Sequence, residues 1–414
     1  MSTGAATAVG APPVTRGWTT RYALVWLGVW LAQLVPVQLL LPDQLTVVDP
    51  VGREQAFGYI SGGVGLLSAL VLPVMGALCD RTRSPWGRRR SWVAGGLLVL
   101  ALGLVLTGRQ DTVSGVAACW VVASVGFCAV TTGLTAVVAD HVPERQRGLA
   151  SGAMFGPQAV GIVLGLVAVG FVEGAAARYA LVAGLLLVLS AAYVLGPREA
   201  EPLLHPPPLL VQLAPRSVLG GLLVDPREHP DFGWAFAGRL LVQLANALGT
   251  TYLLFFLRDG VQVADPEGAL LQLTLLYLVA TVAATVVGGW VSDRTGRRRV
   301  FVAVAAALQG GAALLLAVAP VWPVALVAAL LLGLGYGAFV CVDQALVTAV
   351  LPAASDRAKD LATMNVGAVV PQAVGAFLAA LLVTRAGGYP ALFAAAGLLS
   401  LGGAVLVYRV RSVP

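Results

Sequence analysis

Residues 76–90 have the sequence GALCDRTRSPWGRRR, and a shorter copy, GWVSDRTGRRR, occupies residues 289–299. In each copy a glycine stands four residues before an aspartate, and a second glycine leads into three arginines. The two aspartates, Asp80 and Asp293, are 213 residues apart in a chain of 414 residues. Because the copy begins about half a chain length later, the sequence predicts two versions of one half.

A second motif supports this duplication. The segment PQAVG occurs at residues 157–161 and again at 371–375, an offset of 214 residues. Two unrelated segments are thus repeated at nearly the same distance along the chain, which indicates that a whole multi-helix unit is duplicated.

The composition predicts a membrane protein. The chain is 58% hydrophobic and 11% charged, whereas a soluble domain is about 25% charged. A membrane-spanning helix needs roughly 20 mostly apolar residues, and twelve segments fit this requirement. The predicted spans are 22–42, 56–79, 91–108, 113–139, 146–172, 178–196, 232–257, 268–291, 299–318, 322–350, 360–384 and 388–408. The predicted fold is all-α and integral to the membrane, with twelve transmembrane helices in two pseudo-symmetric six-helix bundles.

The distribution of basic residues predicts the topology. With both termini in the cytoplasm, inner segments hold 20 of the 26 basic residues, and Arg239 lies inside a helix. Five fall in outer segments: Arg53, Arg109, Arg178, Arg258 and Arg385. This asymmetry obeys the positive-inside rule. The net charge of +6 therefore reflects membrane orientation, and we expect no nucleic-acid partner. We expect a multi-pass protein of the plasma membrane, which in a bacterium is the inner membrane. We also expect it to work as a monomer.

Proline and glycine mark the organisation of the chain. The predicted parts are a cytoplasmic tail (1–17), a first bundle (18–196), a proline-rich cytoplasmic linker (197–231) and a second bundle (232–410). Small residues every four positions let helix backbones approach closely in lipid. We expect this close packing at five glycines of the fifth helix, Gly148, Gly152, Gly156, Gly161 and Gly165.

The two basic loops resemble the loop signature of the major facilitator superfamily. The second copy matches without gaps, whereas the first carries four additional residues, 83–86, before Gly87. That longer form is similar to the sucrose and glycoside–cation symporter branches. The duplication and the helix count extend the resemblance over nearly the whole chain.

The resemblance implies that these loops act as conformational latches on the cytoplasmic side, with Asp140 as a partner in the first half. The first glycine of each loop is expected to allow a tight helix end. The implied latch residues are Asp80, Arg81, Arg88, Arg89, Arg90, Asp140, Asp293, Arg294, Arg297, Arg298 and Arg299.

Helix seven carries a polar stripe. Arg239, Gln243, Asn246 and Thr250 are spaced 4, 3 and 4 residues apart, so they share one face of an otherwise apolar helix. Because polar groups facing lipid are expensive, this face is expected to contact protein or a wet cavity.

The superfamily arrangement places substrate contacts near the midplane on helices one, four, seven and ten. Aromatic rings and amides there suit a sugar ring or another uncharged metabolite, although each of these residues could instead only bond helices together. The candidate cavity residues are Trp26, Trp30, Gln33, Gln38, Trp120, Ser124, Thr131, Gln243, Asn246, Thr250, Tyr336 and Gln344.

Arg239 and Asp343 are the charged residues well inside the predicted helices. Each lies roughly 12–13 Å from the cytoplasmic end of its helix, at ~1.5 Å per residue. The equal depth predicts a buried ion pair or a site that couples transport to a proton or monovalent cation. Leaving either charge alone would cost several kcal/mol.

The sequence therefore favours a secondary active transporter, with cation- or proton-coupled symport of a sugar-like compound as the leading hypothesis. Proton-coupled efflux of a drug or natural product is the second, and a membrane receptor or scaffold that no longer transports is the third. The chain lacks the G-x-x-x-x-G-K-[ST] loop of nucleotide-driven pumps. We expect no catalytic residue, no metal and no cofactor; the expected partners are a small organic substrate, a proton or monovalent cation and the lipid bilayer.

Overall fold

A computed structural model describes the backbone of residues 14–82, 84–143, 146–196, 230–295, 298–349 and 357–409. It describes the side chains of these residues except 139, 147, 230, 289–293, 295, 298, 342–349 and 357–369. The predicted linker lies almost wholly outside these ranges. Over the described ranges the regular structure is entirely helical, with twelve long helices.

Each long helix overlaps one predicted span. In the first half they are α1 (Arg16–Val35), α2 (Arg53–Arg81), α3 (Arg88–Thr107), α4 (Val113–His141), α5 (Arg147–Gly170) and α6 (Ala175–Val194). In the second half they are α7 (Pro230–Thr251), α8 (Pro266–Thr295), α9 (Arg298–Val318), α10 (Trp322–Ala349), α11 (Arg357–Arg385) and α12 (Gly388–Val407). The predicted helix count and the all-α class are confirmed.

Two helices continue beyond a change of winding. A π-helical stretch, Pro36–Leu40, and a short helix, Leu41–Val48, extend α1. After α7 come a one-turn helix, Leu253–Phe255, and a second π-helical stretch, Phe256–Gly260. The chain bends by 45° between Asp231–Thr251 and Leu253–Gly260.

The lengths and apolar character of these helices suit a bilayer. Ten helical spans of the described chain are long and apolar enough to cross a membrane, or eleven if the bent α7 pair counts as one span.

The two glycines of the first basic loop have different surroundings. Gly87 immediately precedes α3 and has a φ of 99°, a backbone conformation that glycine adopts without steric cost. Gly76 instead lies inside α2, five residues before its end. The expectation that this first glycine ends a helix is therefore wrong.

The chain packs into two compact units. Among described residues, the first unit contains 14–35, Val71–Arg109 and 118–196. The second contains Pro36–Leu70, Gln110–Ala117 and the described residues from 230 onward. The segment Pro36–Leu70 thus belongs to the first half in sequence but packs with the second. The domain limits inferred from the duplication remain a prediction.

Equivalent helices pair in the same way in each unit. In the first unit α1 packs against α5 and α6, and α3 packs against α6. In the second unit α7 packs against α11 and α12, and α9 packs against α12. The duplicated sequence therefore produces a duplicated packing scheme.

The glycines of α5 divide into two groups. A Cβ atom built on Gly161 would lie 3.0 Å from the carbonyl oxygen of Leu27, and one built on Gly165 would lie 3.0 Å from Cγ of Leu31. Both glycines therefore bring α5 close to α1, as expected. A Cβ on Gly148, Gly152 or Gly156 would meet no described atom within 4 Å. Among the described residues, these three glycines therefore do not show the close packing that was expected.

Candidate functional site

The polar stripe of α7 is largely buried within the second unit. Arg239, Gln243 and Asn246 are 5%, 9% and 7% exposed. Thr250 is partly buried, and its hydroxyl donates to the carbonyl oxygen of Asn246 at 2.8 Å. Among the described residues, Oε1 of Gln243 and Nδ2 of Asn246 have no hydrogen-bond partner. The stripe therefore offers an acceptor and a donor, one turn apart, that the described protein does not use.

Two tyrosines extend this polar face. Tyr277 of α8 lies close to the Asn246 side chain. Its ring stacks near that of Tyr336 of α10, with the centroids 6.1 Å apart and the planes inclined by 30°. The second unit thus joins an amide from α7 to two aromatic rings from α8 and α10.

Tyr277 was missed by sequence reasoning. Tyr277, Thr281 and Thr285 recur every four residues along the apolar helix α8, a spacing that places them on one face. The same rule that identified the stripe of α7 would have found this second one.

A row of aromatic side chains follows α1 in the first unit. Trp18 and Tyr22 stack at 4.8 Å, and Trp26 and Trp30 stack at 5.5 Å. Tyr22 donates its hydroxyl proton to the carbonyl oxygen of Leu134 at 3.1 Å. Sequence reasoning identified Trp26 and Trp30 but missed Trp18 and Tyr22, although all four recur at a spacing of four.

These rings connect α1 to its neighbours. Nε1 of Trp30 donates to the carbonyl oxygen of Met154 in α5 at 2.8 Å. Trp26 is 1% exposed, and among described residues its Nε1 has no hydrogen-bond partner. The indole donor of Trp26 is therefore buried and unused by the described protein.

The remaining predicted cavity residues are distributed over both units. Oε1 of Gln33 and Oγ of Ser124 are buried without a hydrogen-bond partner in the described part of the chain. Trp120 is 1% exposed, and the Thr131 hydroxyl donates to the carbonyl oxygen of Phe127 at 2.9 Å. Gln38 lies in the π-helical stretch that belongs to the second unit, whereas the other four belong to the first.

Asp343 and Gln344 are the two predicted site residues near the end of α10. The backbone of Asp343 and Gln344 is helical, but their side chains are outside the described residues. The pairing of Arg239 with Asp343 therefore remains a prediction.

The first basic loop builds an ion-pair cluster. Arg89 contacts Asp80 at 2.7 Å and Asp140 at 2.8 Å, and Arg88 contacts Asp140 at 3.2 Å. The side chains of Arg88 and Arg89 are each 8% exposed, and that of Asp140 is 10% exposed. The cluster joins the end of α2 to the start of α3 and the end of α4.

The other arginines of this loop bind backbone oxygens. Arg81 donates to the carbonyl oxygen of Ala77 at 2.8 Å. Arg90 donates to the carbonyl oxygens of Val194 and Gly196 at the end of α6. All these contacts lie within the first unit, so the bracing of one half against the other remains a prediction.

The second basic loop is only partly visible. The side chains of Asp293, Arg297 and Arg298 are outside the described residues, whereas Arg294 is exposed and Arg299 is partly buried. Among the described side chains no group of three or more histidine, cysteine, aspartate or glutamate residues is arranged to hold a metal ion.

A family model described as the Major Facilitator Superfamily matches residues 22–264 and 240–414. No curated protein matches the chain in sequence. Among solved structures, the chain is similar to a bacterial homologue of the human lysosomal transporter Spinster in an inward-facing, unoccupied conformation. The TM-score is 0.65 at 13% sequence identity, over 95% of this chain and 94% of that one.

The family model covers both duplicated halves and therefore nearly the whole chain. The structural likeness extends over almost the full length of both proteins. The chain belongs to the Major Facilitator Superfamily and is a multi-pass membrane transporter rather than an enzyme.

Proposed function

We propose that this transporter takes up a small uncharged, sugar-like solute together with a proton or a monovalent cation, by alternating access. The observation that carries the proposal is the set of Gln243, Asn246, Tyr277 and Tyr336 in the second unit. The first basic loop carries four additional residues, and this longer form resembles that of the glycoside–cation symporter branches. The resemblance supports uptake rather than efflux.

The energetics of the α7 face favour a solute with hydroxyl groups. A buried polar atom without a partner costs about 1–3 kcal/mol, and both Gln243 and Asn246 carry such an atom in the described structure. A hydroxyl can donate to the amide oxygen and accept from the amide nitrogen, so a polyol satisfies both. The ring faces of Tyr277 and Tyr336 suit the apolar C–H face of a sugar ring.

Coupling is proposed at the predicted pair Arg239 and Asp343. Arg239 is 5% exposed and lies one turn before Gln243 on the same face of α7. A carboxylate at that depth would bind a proton or a cation next to the solute and release Arg239 when it does so. We further propose that the protein works as a monomer in the plasma membrane of a bacterium.

Uptake by the purified protein in proteoliposomes tests this function. With an imposed pH or sodium gradient, radiolabelled sugars and glycosides are offered one at a time and their accumulation is measured. We expect accumulation of at least one of them, and we expect Asn246→Ala to reduce its initial rate about tenfold, since 1.4 kcal/mol of lost binding is a factor of ten.

Gln272→Ala is the matched control, because Gln272 is an exposed amide on α8 and its loss should leave uptake unchanged. Extrusion of amphiphilic drugs without accumulation of any sugar would support efflux instead. Absence of all gradient-driven flux would favour a receptor or scaffold.

A further inference from the structure

A groove opens in the first unit where three helices meet near the first basic loop. Its volume is about 360 Å³. The lining comes from α2, α3 and α4 and includes Met75, Leu78, Trp92, Gly95, Val99 and Val125. Leu78 and Val99 are 41% and 37% exposed, so the groove is open at the surface of the helix bundle.

Glycines shape this groove. A Cβ atom on Gly96 of α3 would lie 2.9 Å from the carbonyl oxygen of Gly126 in α4, so the two backbones are in close contact there. A Cβ on the neighbouring Gly95 would meet no described atom within 4 Å. The space at Gly95 therefore exists because a side chain is missing, and a larger residue at this position would fill it.

The two polar side chains of the groove both have hydrogen-bond partners. Nε1 of Trp92 donates to the Thr82 hydroxyl at 2.7 Å, and that hydroxyl donates to the carbonyl oxygen of Leu78 at 2.9 Å. The Ser91 hydroxyl donates to the carbonyl oxygen of Arg88 at 2.9 Å. The other lining residues are apolar. Because no polar side chain of the groove needs water as a partner, the groove suits hydrocarbon.

The length of the groove is close to the depth of one bilayer leaflet. Ser91 and Val99 both line it and are eight positions apart on α3, a distance of about 12 Å at ~1.5 Å per residue. The hydrocarbon of one leaflet is about 15 Å deep, half of the membrane core. Because α3 begins at Arg88, the groove starts about one turn inside that end of the helix. An acyl chain lying along α3 would fit this length.

Basic residues lie at the end of the groove next to the loop. Residues 80–90 contain five arginines and one aspartate. Arg81 is the last residue of α2 and directly precedes Thr82, which holds the indole of Trp92. Arg81 donates to the carbonyl oxygen of Ala77, and a guanidinium has five N–H donors that suit phosphate oxygens. The charge at this end of the groove therefore complements an anionic headgroup.

We propose that the groove binds one anionic phospholipid from the leaflet on the side of the first basic loop. One acyl chain lies over Gly95 between α2 and α3, and the phosphate pairs with Arg81 at the end of the groove. This site goes beyond the transport activity proposed above, because its occupation needs neither a solute nor a gradient. A failure of sugar uptake would therefore leave it untouched.

The first experiment counts the lipids bound to the purified protein by native mass spectrometry. Dioleoyl phosphatidylglycerol is the anionic probe, and dioleoyl phosphatidylcholine, which has the same chains and no net charge, is the comparison. We expect phosphatidylglycerol to bind about tenfold more tightly, and Arg81→Gln to reduce this preference about fivefold, since each nearby arginine favours an anionic headgroup. Equal binding of the two lipids to the native protein would overturn the proposal.

Filling the groove distinguishes it from the rest of the lipid-facing surface. Gly95→Leu places a side chain in the open space and should weaken the binding of phosphatidylglycerol about tenfold, because the acyl chain loses its contacts. Gly184→Leu in α6 is the matched control, since a Cβ on Gly184 would also meet no described atom within 4 Å. Equal binding by these two variants would contradict the site. A dimer that Gly95→Leu dissociates would assign the groove to a second copy of the chain instead.

A photoreactive lipid tests the site on the unchanged protein if Gly95→Leu fails to fold. The probe is a phosphatidylglycerol with a diazirine in one acyl chain, and the labelled residues are identified by peptide mass spectrometry. Val99 in the groove and Leu187 on α6 are 37% and 38% exposed, so they are a matched pair. We expect the label to accumulate on Val99 and Met75 rather than on Leu187. Equal labelling of Val99 and Leu187 would show that lipid passes the groove without binding and would overturn the proposal.

Discussion

Asp140 is the residue on which the cytoplasmic ion-pair cluster depends most. It pairs with both Arg88 and Arg89, and its side chain is 10% exposed. Asp80 pairs with Arg89 alone, and its side chain is 34% exposed. Sequence reasoning identified both acids, Asp80 from the repeated motif and Asp140 from its place at the end of a helix. Their unequal burial was not predictable, because it depends on how α2, α3 and α4 meet.

The two acids should differ in their effect on stability. Asp140→Asn leaves two buried arginines without their shared carboxylate, and breaking a buried pair costs about 3–5 kcal/mol. Asp80→Asn removes a partly exposed contact worth at most ~1 kcal/mol, so it should spare folding and reduce transport through the latch. The check is the apparent thermal unfolding midpoint of the purified proteins, with the exposed Asp111→Asn as control. A larger loss for Asp80→Asn than for Asp140→Asn would reverse this ranking.

Among the elements, the two helices with π-helical stretches differ most from their predicted spans. The helix predicted at 22–42 continues through the π-helical stretch Pro36–Leu40 to Val48. The helix predicted at 232–257 continues through the π-helical stretch Phe256–Gly260. Apolar periodicity locates a helix but not a change in its winding, which depends on tertiary contacts of single residues. Tyr252, in the break of α7, makes such contacts with Glu54 and Phe57.

Removing the Tyr252 hydroxyl should measure how strongly the break is held. Tyr252→Phe keeps the ring but loses the bond to the Glu54 carbonyl oxygen, at a cost of about 1 kcal/mol. We expect the apparent unfolding midpoint to fall by roughly 2 °C, and Tyr252→Ala to lower it further by leaving a cavity. Tyr59→Phe is the control, because Tyr59 is 54% exposed. An equal midpoint for Tyr252→Phe and the native protein would show that the bond does not hold the break.

At the scale of the whole molecule, the duplication predicted the fold class and the equivalence of the halves. The offset between Asp80 and Asp293 predicted the equivalence of the halves. The twelve apolar segments predicted the all-α class, because a membrane helix satisfies its backbone hydrogen bonds internally. The division into two packed units was not predictable, since Pro36–Leu70 leaves its own half to pack with the second. That choice depends on pairs such as Arg53 with Asp259, whose members are 206 residues apart.

The orientation of the molecule is the prediction on which the cytoplasmic placement of the latch depends. Val51 lies between the extension of α1 and the start of α2 and is 97% exposed, whereas Trp86 lies in the first basic loop and is 60% exposed. The asymmetry of basic residues places Val51 outside and Trp86 inside. In a variant without the four native cysteines, an impermeant maleimide should label Val51→Cys in intact cells and Trp86→Cys only after permeabilisation. The reverse pattern would invert the topology and place the first basic loop outside.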